Sequence, residues 1–232
     1  MIAKTGRRFA AMGTALALLV ALLAGGAAAR TQDAPAASGG DTAAVEDRRA
    51  DEVVAFFAGL ASLKARFVEI TPDGGRREGI FLWQRPGRFR FSYTDGTPFI
   101  IVSDGRQVSL VDEEAGSVSR WPVAETVLAP LLARRPDPGA LRAAIRAIHD
   151  GPVGGLFWVE VEDPAHPGRG RALLLISERG GALSWLGWRV PDGRGGVIEV
   201  RLFDAEANVE IAESAWEFAD PRRAVRRKRR GM

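Results

Sequence analysis

A curved antiparallel sheet of ten or eleven short strands, its open side plugged by helices, is the fold class this sequence predicts. Three observations lead there. Short runs rich in β-branched and aromatic residues follow one another from Leu63 to Trp121, separated by tight Asp-Gly and Pro-Asp-Gly-Gly turns. The same pattern resumes at Leu156. Helical periodicity is confined to the start and the middle of the chain.

Taken in order, Lys4, Arg7 and Arg8 precede the apolar run Ala10 to Ala24, and Ala27, Ala28 and Ala29 put small residues at the cleavage positions. That is the layout of a secretory signal, with cleavage expected after Ala29. The run is Ala-rich and shorter than the ~20 residues a spanning helix needs. Arg7-Arg8 is a weak twin-arginine hint, so the general export route is the reading. Arg30 to Thr42 carries Ala, Ser, Gly, Asp and Pro without apolar period and is expected to be a flexible mature N-terminus, with a single domain over residues 43–220.

Val53, Phe56, Phe57 and Leu60 recur at i, i+3, i+4 and i+7, which predicts an amphipathic helix ending between Gly59 and Ser62. Strands are expected at 63–70, 79–84, 88–94, 99–103, 107–112 and 117–121. A stripe of Ala124, Val127, Leu128, Leu131 and Leu132 predicts a helix that Pro130 either kinks or starts. Asp137-Pro138 then caps a second mid-chain helix with Leu141, Ala144, Ile145 and Ile148 on one face, stopped by Gly151. Further strands are expected at 156–162, 171–177, 183–190, 196–203 and 208–218. The remainder, 221–232, reads as a basic disordered tail.

The formal charge of +3 conceals an asymmetry: three basic residues lie in the leader and seven in Arg222 to Arg230, leaving about −7 on the body between them. The high pI therefore argues for no nucleic-acid-binding surface on the folded domain. In the tail, Arg226, Arg227, Lys228, Arg229 and Arg230 are candidates for contact with an anionic membrane or an acidic partner. The chain has no cysteine, so no disulfide framework and no N-terminal lipid anchor is expected.

One feature of the first half needs its own explanation. Phe81, Trp83, Arg85, Phe89, Phe91 and Tyr93 share one parity, while Leu82, Gln84, Arg88, Arg90 and Ser92 take the other and can mostly meet water. The aromatic face looks inward and carries a single cation. A guanidinium cannot shed its proton, and buried it must find several acceptors. Arg85 either snorkels at a strand end beside Pro86-Gly87, or it clasps a cover over an apolar concavity.

The stretch Leu82-Trp83-Gln84-Arg85-Pro86-Gly87-Arg88-Phe89-Arg90-Phe91, followed by Ile101-Val102-Ser103-Asp104-Gly105, resembles the signature of the periplasmic outer-membrane lipoprotein carriers, the LolA family. Leu60 to Glu69 is similar to that family's helix exit and first strand, with Glu69 where a glutamine is usual. The resemblance implies an incomplete antiparallel β-barrel of about eleven strands with a helical lid. It implies a carrier that accepts acylated lipoproteins from an inner-membrane lipoprotein-releasing ABC transporter and delivers them through the periplasm to an outer-membrane lipoprotein receptor, as a monomer without cofactor or metal. Arg85 matches the family arginine that binds lid carbonyls in the closed state, and Phe89 and Phe91 match the aromatic pair beside it. Phe67, Phe81, Trp83, Leu128 and Leu131 complete the candidate acyl-contacting set.

Rival readings find less support. His149 and His166 have no spacing of a metal site, and no nucleophile elbow or phosphate-binding loop occurs, which disfavours a secreted hydrolase. Glu113-Glu114 and Glu160/Glu162 read as solubilising charge. A periplasmic lipid or envelope-stress sensor of the same fold is the other alternative, although such sensors usually carry a second domain.

Overall fold

The structure, a computed structural model, describes residues 39–222 apart from 127 and 135. Helix α1 spans Gly39–Gly59. It buries Ala50, Val53, Val54 and Phe57 and leaves Glu46, Asp47 and Asp51 exposed, as the apolar spacing predicts. Its start lies inside the stretch expected to be flexible. Six strands follow: β1 Ser62–Ile70, β2 Arg76–Gln84, β3 Arg88–Tyr93, β4 Phe99–Asp104, β5 Gln107–Asp112 and β6 Ser117–Pro122. Two 3-10 turns, Val123–Glu125 and Ala129–Leu132, lead to the short helix α2, Pro138–Ala144. The second half contributes β7 Ile145–Asp150, β8 Leu156–Glu162, β9 Arg171–Arg179, β10 Ala182–Pro191 and β11 Val197–Ala207.

All eleven strands form one antiparallel sheet in the order β6-β5-β4-β3-β2-β1-β11-β10-β9-β8-β7. Each half is a meander, and the β1–β11 pairing joins them. The two edges, β6 and β7, do not pair with each other, so the barrel is incomplete. The segment 123–144 runs from one edge to the other. Together with α1 it covers the concave face, because an inward face of Phe, Trp, Val and Ile must be covered to leave water.

Three local expectations differ from the structure. The stripe 124–132 folds as two 3-10 turns rather than one helix, with Pro130 in the second. The helix expected to run to Gly151 ends at Ala144, and Ile145–Asp150 is the edge strand β7, paired with β8 from Ile145↔Val161 to Asp150↔Phe157. The β-branched Ile145 and Ile148 fit either state, and the unpaired backbone of β8 decides between them. Residues 208–218 are no strand. Asn208 adopts a φ of 56°, and its amide oxygen accepts from the Ala61 N–H at 2.7 Å. The chain then crosses the outer face of the first half, where Arg90 Nη1 donates to the carbonyls of Ala215 and Glu217 and Trp216 is buried in a short 3-10 turn. The signal peptide, Val127 and the basic cluster Arg226 to Arg230 lie outside the described residues.

Candidate functional site

The end of α1 and the turn between β2 and β3 meet at one mouth of the half-barrel. A helix leaves its last carbonyls without intrahelical partners, and its C-terminus carries a partial negative charge. Arg85 supplies the cation. Its Nη2 donates to the Phe57 carbonyl at 2.8 Å and its Nε to the Leu60 carbonyl at 2.9 Å. The remaining fork, Nη1, donates to the carbonyl of Ala133 at 2.8 Å, just past the second 3-10 turn. The guanidinium also lies over the Trp83 ring, 5.2 Å from its centroid. Partial burial lowers the Arg85 pKa from its ordinary value, yet three carbonyl acceptors hold it as the cation.

Two of the three bonds therefore cap α1, and one ties the cover. Backbone bonds fix the same segment: Gly87 N–H donates to the Leu132 carbonyl and Val123 N–H to the Arg106 carbonyl. From the connection between β8 and β9, Arg169, held by Asp163, donates from Nη1 to the Ala124 carbonyl at 2.5 Å. The cover is thus fastened at its start and at its middle. Its α2 is joined to α1 by Arg142, 2.6 Å from Asp47 and 3.7 Å from Asp51.

Beneath the cover, strand parity places Phe67, Phe81, Trp83 and Phe91 on the concave face, all buried, with Phe89 partly buried beside them. Leu131 is buried and Leu128 half-buried against the same core, from the cover side. The rings are contiguous: Phe81 to Phe91 4.8 Å, Phe67 to Phe91 5.2 Å, Phe89 to Phe91 6.3 Å between centroids. Trp185 and Trp188 from β10 complete the wall, 5.2 Å apart, and Phe57 of α1 meets Trp185 at 5.6 Å. The sequence reading did not single these out. Trp185 and Trp188 stand at odd and even positions of one strand, and the irregular register between Trp185 and Gly187 is what turns both inward.

Among the described residues, the concave face is packed against α1 and the cover. The apolar crevice between α1, α2 and the sheet, lined by Val53, Phe57, Leu131, Leu141, Val161 and Leu174, measures about 10 Å³, barely room for one water. Among the described residues no three His, Cys, Asp or Glu side chains are placed to hold a metal ion, and no helix is long and apolar enough to cross a membrane.

Residues 58–219 match the family model described as outer membrane lipoprotein carrier protein LolA. The chain is 29% identical over 184 residues to the outer-membrane lipoprotein carrier protein of Methylibium petroleiphilum, covering 74% of this chain and 85% of the relative. It is 28% identical over 182 residues to the protein of that name in Methylobacillus flagellatus, covering 74% and 84%. Among solved structures, a LolA superfamily protein from Nitrosomonas europaea aligns over 72% of this chain and 97% of its own with a TM-score of 0.38 and 10% identity.

Proposed function

Because the chain belongs to the outer membrane lipoprotein carrier protein LolA family, we propose that it carries lipoproteins across the periplasm, shielding their acyl chains on the concave face of the half-barrel. The observation that carries this reading is the fastened cover: a large aromatic surface lies under a segment that packs on it through Leu131, Leu132 and Leu141 and is tied to the barrel by polar bonds at Ala124 and Ala133. A permanent core needs no such arrangement. A reversible carrier does, because the cover competes with cargo for one apolar surface.

In the free protein the cover occupies the wall, and the Arg85 bond to Ala133, charge-assisted and contributing about 1.5–3 kcal/mol, holds it there. Cargo displaces the cover and gains roughly 0.8 kcal/mol for each methylene it buries. The two terms oppose each other, so binding stays weak enough to reverse. No nucleotide is needed on the carrier itself, and no chemical step is assigned to any of its residues. Phe67, Phe81, Trp83, Phe89 and Phe91 are the acyl contacts, with Leu128 and Leu131 moving away on the cover. An inner-membrane ABC transporter as donor and an outer-membrane receptor as acceptor complete the proposed route, and export after cleavage near Ala29 places the protein in the periplasm.

The test is capture. Mature protein incubated with vesicles holding a triacylated lipoprotein and its exporter is expected to form a soluble complex of one carrier and one lipoprotein, seen by native mass spectrometry. Lipoprotein that stays entirely with the vesicles under exporter turnover would overturn the reading.

A further inference from the structure

The concave face ends in charge. Leu63, Ala65 and Phe67 of β1 are cross-strand partners of Trp83, Phe81 and Gly79 of β2, and the next inward pair in the same register is Glu69 opposite Arg77. Glu69 is 0% exposed. Its Oε1 accepts from Arg77 Nη1 at 3.2 Å, and its Oε2 accepts from the Tyr93 hydroxyl at 2.5 Å. Gly79 has no side chain, so the Phe67 and Tyr93 rings that flank it across the two ladders meet at 5.3 Å. The aromatic wall therefore runs unbroken from Trp188 through Phe91 and Phe67 to the Tyr93 ring, and stops at that hydroxyl. Arg77 closes the end, its guanidinium over Phe99 at 5.2 Å.

Each methylene seated on the wall tightens binding about fourfold. The gain stops where a further methylene would have to part Glu69 from Arg77 or Tyr93, because each group would then be buried without its partner. Arg77 on β2 and Arg85 just past its end are eight residues apart, roughly 26 Å at about 3.3 Å per residue. The acyl layer of one leaflet is about 15 Å, half of a ~30 Å hydrocarbon core. One chain length therefore fits between Arg85 and the charged end, with roughly 11 Å left for the side chains at the two ends.

We propose that Glu69, Arg77 and Tyr93 form the polar floor of the acyl-binding surface and set the longest acyl segment that gains affinity. The proposal deepens the carrier reading and rests on it. Glu69 and Arg77 are specificity-determining residues here: they act on acyl length and leave the protein part of the cargo alone.

The experiment measures affinity of the mature protein for straight-chain alkyl maltosides of increasing length, below their micelle-forming concentrations, by tryptophan emission. The neutral head removes ion pairing with Arg77 or Arg85 from the comparison. In the wild type, affinity is expected to rise about fourfold per methylene and then level off at one length. In Glu69→Leu/Arg77→Met/Tyr93→Phe, an all-apolar floor, the levelling length moves up by two or more methylenes. An unmoved break, or none in the wild type, overturns the proposal.

A second arm needs no variant. A terminal hydroxyl on the alkyl chain is expected to be rejected at short lengths and tolerated at the break length, where it reaches the Glu69 carboxylate. An equal penalty at every length overturns the floor. If no alkyl maltoside of any length binds the wild type, the carrier reading itself fails, an outcome distinct from binding with an unmoved break.

Discussion

Arg85 and Ala133, 48 residues apart, are joined by a 2.8 Å hydrogen bond from the guanidinium to a backbone carbonyl, while the other two forks of the same guanidinium cap the end of α1. Arg85 thus gives one side-chain bond to the cover and two to the end of α1.

Arg85→Leu is expected to slow release of bound lipoprotein by about 10- to 150-fold, the loss of one charge-assisted bond of about 1.5–3 kcal/mol from the closed state. Arg85→Lys, which keeps the charge but loses the fork, falls between. Transfer of purified lipoprotein to acceptor membranes measures it. Wild-type release by the leucine variant would remove the clasp from the mechanism.

Phe91 and Phe89 should separate core from contact. Phe91 is buried at the centre of the ring cluster, so Phe91→Ala is expected to cost about 3–5 kcal/mol in urea unfolding. Phe89 touches that cluster from a partly buried position, and Phe89→Glu is expected to keep the far-UV spectrum while abolishing alkyl binding. Unfolding of Phe89→Glu would assign that ring to the core.

Burial raises the Glu69 carboxyl above its ordinary 4.5, against lowering by the Tyr93 hydroxyl and Arg77. An acid whose folded pKa is raised holds its proton more tightly in the folded state. Its contribution is complete below the unfolded value and is lost as the pH rises through the folded one. Wild type is therefore expected to lose stability relative to Glu69→Gln as pH climbs from 4.5. Urea midpoints at several pH values test this, and a gap that stays constant with pH would contradict it.

Gly79→Ala is expected to destabilise by about 1–3 kcal/mol or more, the usual cost of overpacking. A Cβ there would sit 2.0 Å from the Ser92 carbonyl oxygen of β3, and backbone on a paired strand cannot step aside. A midpoint unchanged in urea would show that the β2–β3 ladder yields at that point.

Truncation after Pro221 removes seven basic residues. Folding and alkyl binding should be unchanged, while association with anionic vesicles weakens by about 1 kcal/mol per charge at low salt and the difference vanishes as salt rises. Equal vesicle binding at low ionic strength would leave those charges without this role.

By itself the sequence determined which side chains of α1, β2 and β3 face inward. A period of two in β2 and β3 put Phe81, Trp83 and Phe91 on one face with Arg85, and a period near 3.6 found α1. Both periods are properties of a few adjacent residues, which is why they can be read without the fold. Tertiary structure alone decided the rest. Ile145 and Ile148 suit a helix face as well as a strand, and only the open edge of β8 made them β7. Arg85 announced a need for acceptors, but the carbonyls it found belong to segments 25 to 48 residues away. Glu69 looked like a single departure from a family pattern until β1, β2 and β3 lay side by side and set Arg77 and Tyr93 against it. Contacts of that kind depend on sheet order and register, which no local period encodes.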